Sequence, residues 1–240
     1  MSDLDLAIGE LVLANHILAE LGVVDAFGHI SVRRPDRPDH FLLARSMAPA
    51  LVGPDDILTF GPDSESVGPP GQRPYLERFI HGEIYRARAD VSSVVHSHSP
   101  AVIPFGVVKS AALRPVFHMA GFLGEGAPVF EIRDEAGDES DLLIKDRRLG
   151  HALAEALGPS ALILMRGHGS TAVGGSIRQA VYRAVYAEMN ARLQSEALRL
   201  GEPTYLTLAE ADAGAAANDT QIDRAWSLWR TKVQANGPPG

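Results

Sequence analysis

The stretch VVHSHSP, residues 94–100, carries two histidines one residue apart. In an extended strand, positions i and i+2 project from the same face, so His96 and His98 point together. The residues before them, ADVSSVVH, are β-branched and apolar enough for a strand, and Ser99-Pro100 reads as the cap and first turn of a helix. Two imidazoles on one face offer two metal ligands. Without a third ligand, such a pair is more simply two hydrogen-bonded histidines at a strand end. His168 is the candidate third. It stands in MRGHGS between Gly167 and Gly169, and glycine on both sides permits a tight turn with room beside the ring. Three neutral imidazoles leave one tetrahedral position open, the arrangement of catalytic zinc; with added water or substrate oxygens the set suits Mn²⁺. Glu77, nineteen residues before His96 on a predicted helix, is a fourth candidate. Beside a metal, a carboxylate serves as proton shuttle or extra ligand. Away from one, it is a solvated side chain one turn from His81.

Composition limits the alternatives. The chain has no cysteine, which removes disulfides, thiolate ligands and a thiol nucleophile together. Any metal site must then be built from histidine and carboxylate. A net charge of −8 over 240 residues, with no basic run, argues against nucleic acid and anionic membrane as partners. No apolar run reaches the roughly 18 residues of a membrane span. The start MSDLDLAIGE lacks the basic and apolar regions of a signal peptide. A cytoplasmic location is the expectation.

The elements that must hold these residues follow from periodicity. Apolar positions at helical spacing from 4 to 21 predict a helix stopped by Gly22. AFGHISVR (26–33) and HFLLA (40–44) read as a strand pair, and DDILTF (55–60) as another strand. The Gly/Pro-rich segment 61–74 reads as a long surface loop beside a site. YLERFIHGEIYRARA (75–89) reads as a helix burying Leu76, Phe79, Ile80 and Ile84. A short Pro100-led helix, the strand PVFEI and a helix over 146–157 follow. ALILMRGHG (161–169) reads as one buried strand ending in glycines, and the Ser176/Gln179 capping box opens a long helix. A last helix runs through Trp226 and Trp229. The pattern is α/β, with one domain over 1–230 and a disordered tail over 231–240.

LERFIHGEIYRARADVSSVVHSHSP, followed by LILMRGHGSTAVG and its long helix, resembles the class II aldolase/adducin-head family. The resemblance runs from the N-terminal helix to about residue 200. It implies an α/β/α sandwich on a mixed, largely antiparallel sheet, and a homotetramer with active sites at subunit interfaces. It also implies a metal site of Glu77, His96, His98 and His168, holding one Zn²⁺ or Mn²⁺ per subunit.

Departures from the pattern point to a branch. The sugar-phosphate members carry Gly-Asn in the first loop and Ser-Ser before the glutamate, both of which hold phosphate. Here the residues are GHIS and Tyr75-Leu76, a poor phosphate cradle and a better wall for a planar ring. His118 in RPVFHMAGFLG stands where some aldolases have an interfacial tyrosine proton donor. ERFIHGEIYRARAD, HSHSPAVIPFGV and FHMAGFLGEG resemble the branch that decarboxylates hydroxylated aromatic carboxylates. In that reading a metal chelates substrate oxygens and stabilises the charge left by CO2. Glu77 or His118 then returns a proton. His29, Ser31, Arg45, Ser46 and Tyr75 are candidate substrate contacts, and Arg73 and Arg166 further candidate cations. The alternatives are a metal-dependent aldolase for a non-phosphorylated 2-oxo or hydroxy acid, and a binding module without chemistry, which has no need of the four ligands.

Overall fold

Neighbouring residues on the central strands belong to different apolar layers. Val94 packs among Phe41, Ile80 and Leu153, whereas Val95 packs among Ile17, Leu18 and Val181. A period-2 strand divides its side chains this way only when both sheet faces are covered. The structure, a computed structural model, describes residues 2–68 and 71–236. Its sheet has seven strands in the order β3-β2-β1-β4-β7-β6-β5. These are β1 (His29–Arg33), β2 (Phe41–Ala44), β3 (Ile57–Phe60), β4 (Ser93–Ser97), β5 (Val129–Phe130), β6 (Leu162–Met165) and β7 (Gly169–Gly174). Every pairing is antiparallel except β5 with β6. The expected mixed, largely antiparallel α/β/α sandwich is therefore the observed one.

One face is covered by α1 (Asp3–Glu20), α6 (Ile177–Leu200) and α8 (Ile222–Asn236), the other by α2 (Arg78–Ala87) and α5 (Arg147–Leu157). Two short helices, α3 (Ile103–Val107) and α4 (Arg133–Ala136), and the longer α7 (Leu208–Asp219) complete the α-helices among the described residues. Ser176 caps α6 by accepting from the Gln179 amide, but the expected capping box is only half formed, because the Gln179 side chain accepts from the Gly175 amide at 2.8 Å.

Several expected boundaries move, each for a local reason. Residues 161–169 are not one strand. They form a β-hairpin whose turn, Arg166 to His168, uses Gly167 at φ +67. The second strand, GSTAVG, is built of small residues and is extended because β4 and β6 pair with it on both sides. The helix expected over 75–89 starts at Arg78, so Glu77 is its N-cap and Leu76, expected in the core, is 51% exposed. The short helix expected from Pro100 begins at Ile103. PVFEI shortens to two strand residues. α7 was not expected, since its Ala-rich sequence has no apolar stripe; the Thr207/Glu210 capping box opens it. α8 continues through Asn236, past the expected boundary at 230, while residues 237–240 lie outside the described residues.

The contact of α2 with α5 fixes where Glu77 stands. Gly150 on α5 lies so near α2 that an added Cβ would meet the Phe79 carbonyl oxygen at 2.6 Å. Gly150→Ala is expected to destabilise the protein by about 1–3 kcal/mol through overpacking. Gly9→Ala, on α1 with no atom within 4 Å of the added carbon, should stabilise by up to about 1 kcal/mol. Denaturant midpoints of the two variants test both signs.

Candidate metal centre

Four side chains from three parts of the chain meet at one end of the sheet. His96 lies on β4, His98 one residue past its end, His168 in the β6–β7 turn, and Glu77 at the start of α2. One ligand atom from each lies within 4.8 Å of all the others. His96 Nε2 is 3.2 Å from His98 Nε2, which is 3.0 Å from His168 Nε2. Glu77 Oε2 stands 3.6 Å from His96 Nε2 and 3.4 Å from His168 Nε2.

This donor set fits a divalent cation. Ligands about 2.0–2.1 Å from a tetrahedral zinc are separated by roughly 3.3–3.4 Å, close to the separations above. Three imidazole nitrogens turned toward one another also bring lone pairs together, which a shared cation relieves. The surrounding contacts free the inward atoms. His168 Nδ1 donates to the Leu142 carbonyl at 2.9 Å, leaving its Nε2 lone pair for the cluster. The Ile144 amide donates to Glu77 Oε1 at 2.9 Å, leaving Oε2. Leu142 holds φ +66, a left-handed backbone that is rare for leucine and strained. The short segment 142–144 therefore orients two of the four ligands.

Electrostatics agrees with this arrangement. Burial alone would raise the Glu77 carboxyl, but the His168 hydrogen bond, the charges of His96 and His168 and the Ile144 amide lower it to about 2. Burial lowers His96 and His98, and lowers His29 well below its ordinary value. Burial also pulls His168 down, yet its bond to Glu77 outweighs this and raises it. Burial takes His81 down to about 3.

The cavity beside the cluster measures about 320 Å³ and is lined by His29, Ser46, Arg73, Tyr75, His96 and His98, with Phe27, Leu76 and Leu143 as apolar wall. The ring of Tyr75 packs 4.5 Å from that of His29, and its hydroxyl donates to the Met47 carbonyl. Two candidate contacts lie elsewhere. Ser31 is fully buried on β1, bonded to His81 and Tyr85. Arg45 is not in the lining and donates to Asp56 at 2.7 Å. Neither His29 nor Ser31 is in a loop: both belong to β1, where His29 pairs with His96. Arg166 is tied to Glu131. The Arg73 carbonyl accepts from the Ser46 amide at 2.8 Å, while its side chain makes no hydrogen bond or ion pair among the described residues. His118 is exposed on a 3-10 turn, His118–Leu123, packed on α7 and outside this cavity.

Sequence reading missed the 142–144 segment, whose roles are made by backbone groups and leave no side-chain signal. It also missed Phe27, 64% exposed at the cavity mouth with its ring 6.3 Å from that of His98. An exposed aromatic beside a candidate site residue was the available sign.

The model of the family described as Class II Aldolase and Adducin N-terminal domain matches residues 9–195. The chain belongs to this family. A decarboxylase, tropJ, of Talaromyces stipitatus is 38% identical to it over 245 residues, spanning 92% of each chain. The 3,4-dihydroxyphthalate decarboxylase of Arthrobacter keyseri is 30% identical over 206 residues, spanning 80% of this chain and 78% of its own. Among solved structures, the L-fuculose 1-phosphate aldolase of Glaciozyma antarctica superposes with a TM-score of 0.78 at 22% identity, covering 97% of this chain and 90% of its own. This class II aldolase-family chain is a carbon–carbon lyase, and carboxy-lyase is the best-supported kind. No helix among the described residues is long and apolar enough to cross a membrane.

Metal binding requires neutral imidazoles. His168, with its raised value, is protonated below it and neutral above it, whereas His96 and His98 are already neutral in that range. Apparent zinc affinity should therefore fall as the pH drops through the raised value of His168. Close to one proton should be released per zinc at the acid end and almost none at the alkaline end. Calorimetric titrations in buffers of different ionisation enthalpy measure both quantities; a pH-independent affinity would contradict the His168 assignment.

Proposed function

We propose that the protein is a divalent-metal-dependent decarboxylase of a hydroxylated aromatic or heteroaromatic dicarboxylate. The observation that carries this reading is the cavity wall. Three of the four clustered donors, Glu77, His96 and His98, line a space of single-ring size, about 320 Å³, bounded by Phe27, Tyr75, Leu76 and Leu143 and carrying Arg73, whose side chain is unpaired among the described residues. Apolar walls with a few directed polar groups suit a planar ring, and an unpaired guanidinium suits a carboxylate. Gly28-His29 and Tyr75-Leu76 put rings and a branched chain where phosphate-binding relatives need small donors. The decarboxylase names of two relatives point the same way.

Each side chain then has a task. Arg73 binds the carboxylate that is retained. Phe27 and Tyr75 flank the ring and keep water from it. A divalent metal held by Glu77, His96, His98 and His168, Zn²⁺ or Mn²⁺, supplies positive charge for the electron pair left when the bond to the departing carboxylate breaks. A proton must reach the vacated carbon. Glu77 is held ionised near neutral pH, so it is better suited to holding charge than to giving a proton. His118 is the proposed donor, reaching a neighbouring subunit's cavity in a homotetramer, because it stands outside the cavity of its own chain.

Zinc- or manganese-loaded protein should release CO2 from at least one ortho-hydroxy aromatic or pyridine dicarboxylate, and a chelator should stop it. Arg73→Gln should raise KM about 10–100-fold for a dicarboxylate through loss of a charge-assisted bond. It should change KM little for the matching monocarboxylate. Silence across the panel, with cleavage of a 2-oxo acid instead, would move the assignment to an aldolase. Mixing His118→Ala with His96→Ala subunits should restore part of the activity; no recovery in hybrids shown to form would remove His118 from the shared site.

A further inference from the structure

Behind the cavity wall, four side chains form a buried row that takes no part in the metal cluster. His29 Nδ1 lies 2.7 Å from His81 Nε2, His81 Nδ1 lies 2.6 Å from Ser31 Oγ, and Ser31 Oγ lies 2.6 Å from the Tyr85 hydroxyl. The row exists because two periodicities match. Positions i and i+2 on a strand are about 6.6–6.8 Å apart, and positions i and i+4 on a helix about 6 Å. His29 and Ser31 on β1 therefore face His81 and Tyr85 on α2. Ser31 and His81 are 0% exposed, and of the four side chains only His29 lines the cavity, beside His96.

Each contact in the row needs one hydrogen, and of the two directions that supply them only one leaves no hydrogen without an acceptor. Neutral His81 carries a single N–H, Ser31 and Tyr85 a single O–H each. If Tyr85 donates to Ser31, Ser31 to His81 Nδ1, and His81 Nε2–H to His29 Nδ1, every hydrogen has an acceptor. In the opposite direction His29 Nδ1–H donates to His81, His81 to Ser31, and Ser31 to Tyr85. The phenol hydrogen is then left with no acceptor among the described residues. Arg33, which covers the Tyr85 ring at 4.8 Å, offers donors only. A buried hydrogen without an acceptor is the costlier arrangement.

We infer that Tyr85, Ser31 and His81 fix His29 as the tautomer with bare Nδ1 and protonated Nε2, so that His29 offers a hydrogen-bond donor to an anionic oxygen of the ligand in the cavity. His29 Nε2 has no partner among the described residues, and His29 is not one of the four clustered ligands. Where negative charge develops on a ring oxygen, a donor already aimed at it stabilises the transition state without reorganising. The identity of that oxygen rests on the proposed reaction; the tautomer does not. Tyr85, Ser31 and His81 are positioning residues in this account.

Zinc-loaded protein labelled with ¹⁵N-histidine gives the test, by long-range ¹H–¹⁵N spectra with His29 assigned through loss of its signals in His29→Asn. The wild type should show His29 bare at Nδ1 and protonated at Nε2. Tyr85→Phe and Ser31→Ala should each shift His29 toward a mixture of tautomers while zinc content is kept. On a substrate found by CO2 release, kcat should fall at least about tenfold with little change in KM. A wild-type His29 protonated at Nδ1 overturns the inference, as do folded variants that keep the wild-type signals. If Tyr85→Phe does not fold, Ser31→Ala and the wild-type spectrum decide it. If no substrate releases CO2, the proposed reaction fails, and the spectra still decide the tautomer.

Discussion

Three imidazole nitrogens and one carboxylate oxygen are held within a few ångströms of each other in a buried place, an arrangement that costs free energy until a cation occupies it. Much of the local structure exists to keep them there. Close backbone approach is the first requirement. An added Cβ at Gly169 would meet the Ser97 carbonyl oxygen at 2.1 Å, and one at Gly28, at φ +94, would meet the Val24 side chain at 2.6 Å. Larger residues at either position would displace the strand ends that carry His98 and His29.

The second requirement is orientation. Glu77 and His168 each use one polar atom to bind the 142–144 backbone and turn the other inward. Their mutual attraction keeps the carboxylate ionised and favours the protonated form of His168. A strained Leu142 is consistent with this, since strain persists where surrounding contacts over-determine the backbone.

The clustered donors would set the class of chemistry, and the cavity walls its direction. Aldol cleavage and decarboxylation both break a carbon–carbon bond and leave an electron pair that needs positive charge nearby. One ligand set can serve either. Phe27, Tyr75 and Arg73 differ from a phosphate cradle in shape and hydrogen bonding, and the inferred tautomer of His29 would add a directed donor. Discrimination in such a site comes from what the cavity offers to the reacting group as charge develops on it.

Local sequence was sufficient where local chemistry decides structure. The H-x-H pair, His168 between glycines and Glu77 were readable as ligand types because their spacing follows from strand period and turn geometry, and the family resemblance joined them. The Ser176 cap and the stripes of α2 and α5 were legible for the same reason. What needed the tertiary structure were contacts between segments far apart in the chain. GSTAVG became β7 only by pairing with β4 and β6. Leu76 turned from core to cavity wall because α2 begins two residues after it. Of three candidate arginines, pairing with Asp56 and Glu131 removed two and left Arg73. Ser31 moved from candidate substrate contact to the buried support of His29, since its strand faces α2. Composition and period specify which residues are available and which face they take; only packing decides which of them meet and which are already satisfied.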